Sequence, residues 1–471
     1  MAKKPTELWQ MTAVELRQLI VKRKLSPVEL LDHVYARMEK LDPKLRAFVH
    51  VDEEKARAQA KRAEAEVRRR AILPRLHGLP VSVKDLVMVA GMPFTRGSAL
   101  FKNAVPPENA PIVDRLLKAG AMVTGKTTTS EMGWKGSCSN RIFPETLNPW
   151  DLSRTPGGSS GGAAAACAAG IGPLHVGSDG GGSIRMPAAF TGIFGFKASH
   201  GRFPVYPPPP VGNVSHVGPM TRTVADAALL YRAMVGSDDR DLYSLPPDAT
   251  LNQTLRRGRK LKIGWSPNLG GVIKVDPEVV RVCEAAVRKF EEIGWEVVPV
   301  KVEIDDPMDT LALHFKLGIG QALMGFPDWR KQIDPGLRRI VEQGEKLGPF
   351  ALGQAFIGRG RLWDQFRKAM AQCDILATPT TPTVAFKAGQ DCPDRWLKMA
   401  DGAVRWFTLT GICNLTGQPA ASVPAGFDRK GLPVGLQLIG QRYADWTVLK
   451  ASKAFEDIQP WHDRWPDLAA A

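Results

Sequence analysis

The spacing of apolar positions changes character near residue 79. Over the first seventy residues they recur every three or four places: Leu16, Leu19 and Ile20, then Leu30, Leu31, Val34 and Met38. That period belongs to helices with one buried face. Each stripe follows a start signal, Thr12-Ala13-Val14-Glu15 and Ser26-Pro27-Val28-Glu29. In such boxes the hydroxyl and the carboxylate satisfy each other's free N–H groups, and Pro27 stands at the first helical position. A charged helix follows from about Glu53 to Arg70. Residues 1–70 are therefore expected to form an outer helical layer with no chemistry of its own.

From Leu79 onward the apolar runs are short and lie between turns. Leu79–Val83 and Ala121–Thr124 read as buried strands flanking a helix from Ile112 to Lys118, which ends at Gly120. Strand, helix, strand is the mark of a parallel α/β unit. An alanine-rich helix runs from Gly162 to Ala169, and Leu174-His175-Val176 reads as a further strand. Lys260–Trp265, a helix from Pro277 to Ile293 and Trp295–Val300 repeat the unit. Residues 304–372 read as helical without a motif, a variable insertion or cap. Asp374–Ala377, Ala421–Pro424 and Val434–Ile439 are expected to return as late strands of the same sheet. The fold class is α/β, and a single domain over residues 1–471 is expected.

Composition narrows the function. The hydrophobic fraction is 44% and the charged fraction 24%, ordinary for a globular enzyme. No apolar run approaches the roughly 18–20 residues of a membrane span, and no apolar signal core follows Met1-Ala2-Lys3-Lys4, so the expected location is the cytoplasm. The six cysteines are scattered without a CxxC pair, which argues against a zinc site and against a disulfide framework. Neither a metal nor an organic cofactor is expected. The net charge of +15 raises nucleic-acid binding as a reading. The basic residues are interleaved with acids, as between Asp52 and Arg70, and no nucleic-acid module is present, so a solvated basic surface is the better account. A non-catalytic nucleic-acid-binding protein on a hydrolase scaffold remains the alternative from another class.

Two glycine-serine clusters and one lysine carry the candidate chemistry. Gly157-Gly158-Ser159-Ser160-Gly161-Gly162 precedes Gly177-Ser178-Asp179-Gly180-Gly181-Gly182-Ser183-Ile184-Arg185, and Lys84 lies upstream within Val81-Ser82-Val83-Lys84-Asp85. A serine among glycines with open backbone N–H groups suits an acyl-transfer nucleophile, and a lysine kept neutral in apolar surroundings suits its base. A phosphate loop is disfavoured because no Gly-Lys-Ser/Thr follows. Gly157-Gly158-Ser159-Ser160-Gly161 fits a nucleophile elbow, yet Leu152–Pro156 does not read as the strand an elbow needs. His200, His216, His314 and His462 also lie in no telling setting.

Taken together and in this order, Lys84, the run Pro156–Gly162 and the run Gly177–Arg185 resemble the amidase signature family of serine hydrolases. The resemblance continues through Leu147–Asp151, Gly195-Phe196-Lys197, Gly201-Arg202, Gly218–Thr223, Asn414–Gly417 and Gly431–Gln437, and spans nearly the whole chain outside 304–372. It extends to stand-alone bacterial amidases, to fatty acid amide hydrolase and to the glutaminase subunit of the glutamyl-tRNA amidotransferase. It implies a large twisted mixed β-sheet covered on both faces by helices. It also implies a triad: Ser183 as nucleophile, Lys84 as base, and Ser159, on a cis peptide bond, carrying the proton between them. The N–H groups of Gly180, Gly181, Gly182 and Ser183 would form the oxyanion hole, Asp179 and Arg185 would brace the loop, and Ser178 and Ser160 would support it. Gly180 stands where many relatives carry a side chain.

The lysine must meet a physical condition. A free lysine has a pKa of about 10.4, so burial among Val81, Val83, Leu86 and Val87 has to lower it before it can act as a base at neutral pH. The implied reaction is acyl transfer to water from amides, with esters and carbamates as further small-molecule substrates. Met132, Gly133, Trp134, Phe203, Tyr206 and Ile412 are the candidate pocket residues, with Pro207–Pro210 as a stiff loop beside them. Their aromatic and apolar character favours aryl or apolar substrates over charged ones. The rival within the family is the glutaminase component of a tRNA-dependent amidotransferase, which works with partner subunits. A homodimer is left open.

Overall fold

A computed structural model describes residues 7–69, 72–247, 249–256 and 258–470. Eleven strands form one mixed sheet: β1 (Phe48–Val51), β2 (Pro80–Lys84), β3 (Met122–Thr127), β4 (Leu174–Asp179), β5 (Phe194–Lys197), β6 (His216–Thr221), β7 (Lys262–Trp265), β8 (Glu296–Pro299), β9 (Ile375–Pro379), β10 (Ala420–Phe427) and β11 (Pro433–Gly440). Their spatial order is β1-β3-β2-β4-β6-β5-β10-β11-β9-β7-β8.

The parallel pairs sit where the sequence places helical crossovers. β2 runs parallel to β3 and β4, and β7 runs parallel to β8 and β9. The strands between these patches pair antiparallel. All five residues of β2 and all six of β3 are buried, as strands covered on both faces must be. The Gly161–Ala168 helix is likewise buried at every position, and its alanines let it lie close on β2, β4 and β6.

The first helices fall at Ala13–Val21, Pro27–Leu45 and Glu53–Arg69, and both expected capping boxes are present. The helical layer is not purely helical, however. Phe48–Val51 pairs antiparallel with β3 and forms an edge of the sheet. Helices Pro307–Leu323, Trp329–Gln332, Pro335–Glu345 and Ala351–Met370 occupy the region expected to be a cap. Lys135 pins that region to the core: its Nζ donates to Asp334 Oδ2 at 3.0 Å and to Asp391 Oδ1 at 2.5 Å. Asp334 also caps the Pro335–Glu345 helix, accepting from Gly336 and Leu337. None of the helices among the described residues is long and apolar enough to cross a membrane.

Candidate active site

Lys84 ends β2 and is completely buried. Its Nζ donates to Ser159 Oγ at 2.7 Å and to Ser160 Oγ at 2.8 Å. Burial lowers its pKa to about 7, against the smaller opposing influence of Cys138 and Asp179. The ammonium form loses its hydration there and gains no ion pair, because the next residue faces elsewhere. Asp85 pairs with Lys126 Nζ at 3.2 Å and accepts from the Thr95 hydroxyl and backbone N–H.

The run 156–160 presents the two serines to this lysine. Its Gly158–Ser159 peptide bond is cis. Gly158 is required by close approach: a Cβ there would stand 2.1 Å from the Ser137 carbonyl oxygen. Ser160 ties the two clusters together. Its N–H donates to Ser183 O at 3.2 Å, its hydroxyl donates to Ser178 O at 3.0 Å, and it accepts from Ser178 N at 3.2 Å. Ser183 itself is only 6% exposed, and its hydroxyl has no hydrogen-bond partner among the described residues.

A buried ion pair holds the second cluster. The Arg185 guanidinium meets Asp179 through Nε to Oδ2 at 3.0 Å and Nη2 to Oδ1 at 2.9 Å. Its remaining donors reach Thr410 O, Gln437 Oε1 and Asn414 Oδ1 at 2.9, 2.7 and 2.7 Å. Burial by itself would raise the Asp179 carboxyl, but the charge and hydrogen bonds of Arg185 hold it down to about 2. The ionised carboxylate then organises the loop, accepting from Gly182 N at 2.6 Å and Ile184 N at 3.2 Å.

This arrangement alters the expected set of anion donors. The Gly182 N–H is engaged by Asp179, whereas those of Gly180, Gly181 and Ser183 make no hydrogen bond among the described residues. Gly182 has φ +130°, and a Cβ there would lie 2.1 Å from Thr410 Oγ1. Thr410 in turn donates to Gly181 O at 2.6 Å, and Asn414 donates to Asp179 O at 2.8 Å. The parts played by Thr410, Asn414 and Gln437 were not assigned from the sequence. The last two stand inside matched motifs, which was the available signal.

A cavity of about 650 Å³ opens beside these groups, with Leu86, Met132, Ser178, Tyr206 and Val211 in its wall. Helix Pro307–Leu323 closes one side through Leu317 and Ile319. Gly133 borders the serines, since a Cβ on it would stand 3.2 Å from Ser159 Oγ. The loop Pro207–Pro210 also lines the cavity.

Three expected pocket residues lie elsewhere. Trp134 is turned into the protein against Gly336 at the start of the Pro335–Glu345 helix. Phe203 lines a smaller neighbouring chamber of about 240 Å³ and packs edge-on to Tyr231. Ile412 is fully buried within the core. Packing in the core takes Trp134 and Ile412, and Phe203 borders the smaller chamber instead.

No histidine hydrogen-bonds to Ser159 or Ser183 among the described residues. His175 pairs with Ser82 Oγ at 2.7 Å, and His216 bonds to Val214 O at 2.9 Å and lies 3.4 Å from Lys197 Nζ. Nor do the described residues include a group of three or more His, Cys, Asp or Glu placed to hold a metal ion.

Similarity to known proteins gives the family. The amidase family model matches residues 29–449. An acylamidase of Rhodococcus erythropolis is 35% identical, covering 97% of both chains. A glutamyl-tRNA(Gln) amidotransferase subunit of Chloroflexus aggregans is 36% identical, covering 99% of this chain and 100% of its own. The crystal structure of a bacterial aryl acylamidase of the amidase signature family superposes with a TM-score of 0.91 at 30% identity, covering 98% of this chain and 99% of that one. With a matching model over most of its length and relatives of this identity and coverage, the chain belongs to the amidase family and is an amidohydrolase.

Proposed function

We propose that this chain hydrolyses the C–N bond of carboxamides with an apolar or aryl group, through an acyl-enzyme on Ser183. The observation that carries the reading is the buried Lys84 Nζ, 2.7 Å from Ser159 Oγ, with its pKa lowered to about 7. A neutral amine at that position takes the Ser159 proton as Ser159 takes that of Ser183. Ser183 Oγ then bonds to the carbonyl carbon, and the oxyanion faces the open N–H groups of Gly180, Gly181 and Ser183. One such donor is worth roughly 3–4 kcal/mol in transition-state stabilisation. The proton returns through Ser159 to the amine nitrogen as the C–N bond breaks. Water then attacks the ester carbonyl, giving its proton to the same relay, and releases the acid with Ser183 restored.

The apolar wall supports an apolar or aryl substrate, and the aryl acylamidase and acylamidase relatives support the same class. Esters and aryl carbamates present the same carbonyl to Ser183 and belong to the substrate range of this site. The amidotransferase relative supports a second reading, a glutaminase that works with partners. A panel of an acyl anilide, an aryl carbamate, a primary amide, glutamine and a nitrophenyl ester separates them, with purified wild-type protein and Ser183→Ala. Anilide turnover lost in the variant is expected. Equal turnover in both discards Ser183 as nucleophile, and activity toward glutamine alone, or toward nothing without a partner, favours the second reading.

A further inference from the structure

The wall of the larger cavity holds one charged residue, Arg96. Its guanidinium lies 4.5 Å over the ring of Phe94 and 4.4 Å over that of Phe101, while Nε is buried without a hydrogen-bond partner. No hydrogen bond joins the guanidinium to any described residue. Asp85, the acid that acts on it through space, is already engaged by Lys126 and Thr95. Stacking on aromatic rings covers the flat faces of a guanidinium and leaves the donors along its edge, a fork that matches a carboxylate.

The backbone is built to present this side chain. Arg96 and Met132 are both in the left-handed region, at φ +55° and +49°, and Met132 N donates to Arg96 O at 2.7 Å. Non-glycine residues held in that region cluster at ligand-contacting sites. Both side chains line the cavity, and Gly133, next in the chain, borders Ser159. The backbone that carries the unpaired cation is therefore hydrogen-bonded to the segment that borders Ser159.

We propose that Arg96 determines specificity by receiving a carboxylate carried on the apolar part of the substrate, so that acylated aminobenzoates and similar carboxylated amides are preferred over their neutral isosteres. This rests on the reaction proposed above. It refines the apolar preference, since the body of the substrate still fills an apolar wall and only one position is reserved for an anion.

Calorimetry on Ser183→Ala protein with 4-acetamidobenzoate and with 4-acetamidoacetophenone, which has a methyl ketone in place of the carboxylate, tests the proposal. The carboxylate should bind at least tenfold tighter, and that ratio should fall to near one when Arg96→Gln is added. Arg96→Lys should keep part of the ratio, a charge without the fork. The advantage should also shrink between 50 and 500 mM salt, which a merely structural role would not produce. Equal affinity for the two compounds, or a ratio unchanged by Arg96→Gln, overturns the proposal. Turnover of the same pair by wild-type protein reads the reaction separately: an Arg96-dependent preference in binding without hydrolysis overturns the proposed reaction and leaves the role of Arg96 standing.

Discussion

Arg185 grips both oxygens of the Asp179 carboxylate in a fully buried pair, and the same carboxylate holds the Gly182 and Ile184 N–H groups on either side of Ser183. The pair thus fixes the loop from which Ser183 projects. Charge-assisted, forked bonds of this kind are geometrically demanding, and removing one partner strands the other charge. Asp179→Asn is expected to cost about 3–5 kcal/mol of stability by leaving Arg185 buried without its counter-charge. Arg185→Lys should also lower the melting temperature, because an ammonium cannot span both oxygens along with Thr410, Gln437 and Asn414. Assayed well below their melting temperatures, both variants should still lose at least tenfold in kcat. Wild-type kcat in a folded Arg185→Lys protein would separate the pair from the chemistry.

Lys84 sets the expected pH dependence. Its folded pKa of about 7 lies below the unfolded value of about 10.4, so the neutral base grows in as pH rises through 7. The chemistry-limited rate should climb from pH 5.5 to a plateau above pH 8. A flat profile over pH 5 to 9 would count against the base. The same shift has a cost in stability. The unfolded chain binds the proton more tightly, so this group opposes folding most strongly below pH 7 and progressively less toward pH 10. Lys84→Met should abolish turnover while raising the melting temperature, with a larger gain at pH 7 than at pH 10.

How much of this was legible beforehand follows from how local each feature is. Lys84 and the two serine clusters are marked by residue type and order. β2 with its crossover to β3 is marked by a short apolar run, a helix and a second run. β1 escaped because it lies within a stretch whose periodicity is helical on both sides, and β5 because Gly195 breaks its short apolar run, whereas β7 and β8, equally short, were legible beside their amphipathic helix. β6 escaped because Gly218 and Pro219 interrupt it. The cavity wall was legible only in part. Met132 and Tyr206 line it, but Leu317, Ile319 and Leu352 come from helices in a stretch without a motif. Which of several apolar residues faces a cavity is decided by packing between distant segments, and Trp134, Phe203 and Ile412 show that side-chain character does not decide it.

Gly180 and Gly182, on either side of Gly181 in the proposed anion-binding loop, should respond oppositely to a side chain. At Gly180 a Cβ would meet Phe315 and Val211 at 3.7 and 3.8 Å, which is ordinary contact, and its N–H remains free. Gly180→Thr is expected to fold and to keep turnover within about threefold, given a main-chain donor. At Gly182 the Cβ would overlap Thr410 Oγ1 from a backbone at φ +130°, so Gly182→Ala must displace the hydroxyl that holds Gly181 O. That variant should lose at least a hundredfold in kcat. Comparing kcat for the two variants on one anilide checks the contrast, and similar losses in both would mean that the loop's flexibility matters more than its donors.

Asp226 carries a separate pH dependence. It lies in the Val224–Met234 helix, is 1% exposed, and accepts from Val14 N at 3.1 Å, so it fastens the first helix to the core. Burial pushes its carboxyl up to about 7, and the Thr223 and Val14 hydrogen bonds only partly oppose this. The unfolded value is about 3.9, so the folded protein binds the proton more tightly. Its contribution to stability is fully present below about pH 4 and is lost as pH rises through 7. Asp226→Asn keeps a carbonyl acceptor for Val14 N without the charge. It should therefore stabilise the protein, by up to about 4 kcal/mol at pH 9 and by clearly less at pH 5. Urea unfolding of both proteins at the two pH values measures this. Equal destabilisation at both would show that the ionised carboxylate is what the first helix requires, and that its hydrogen bonds outweigh the burial.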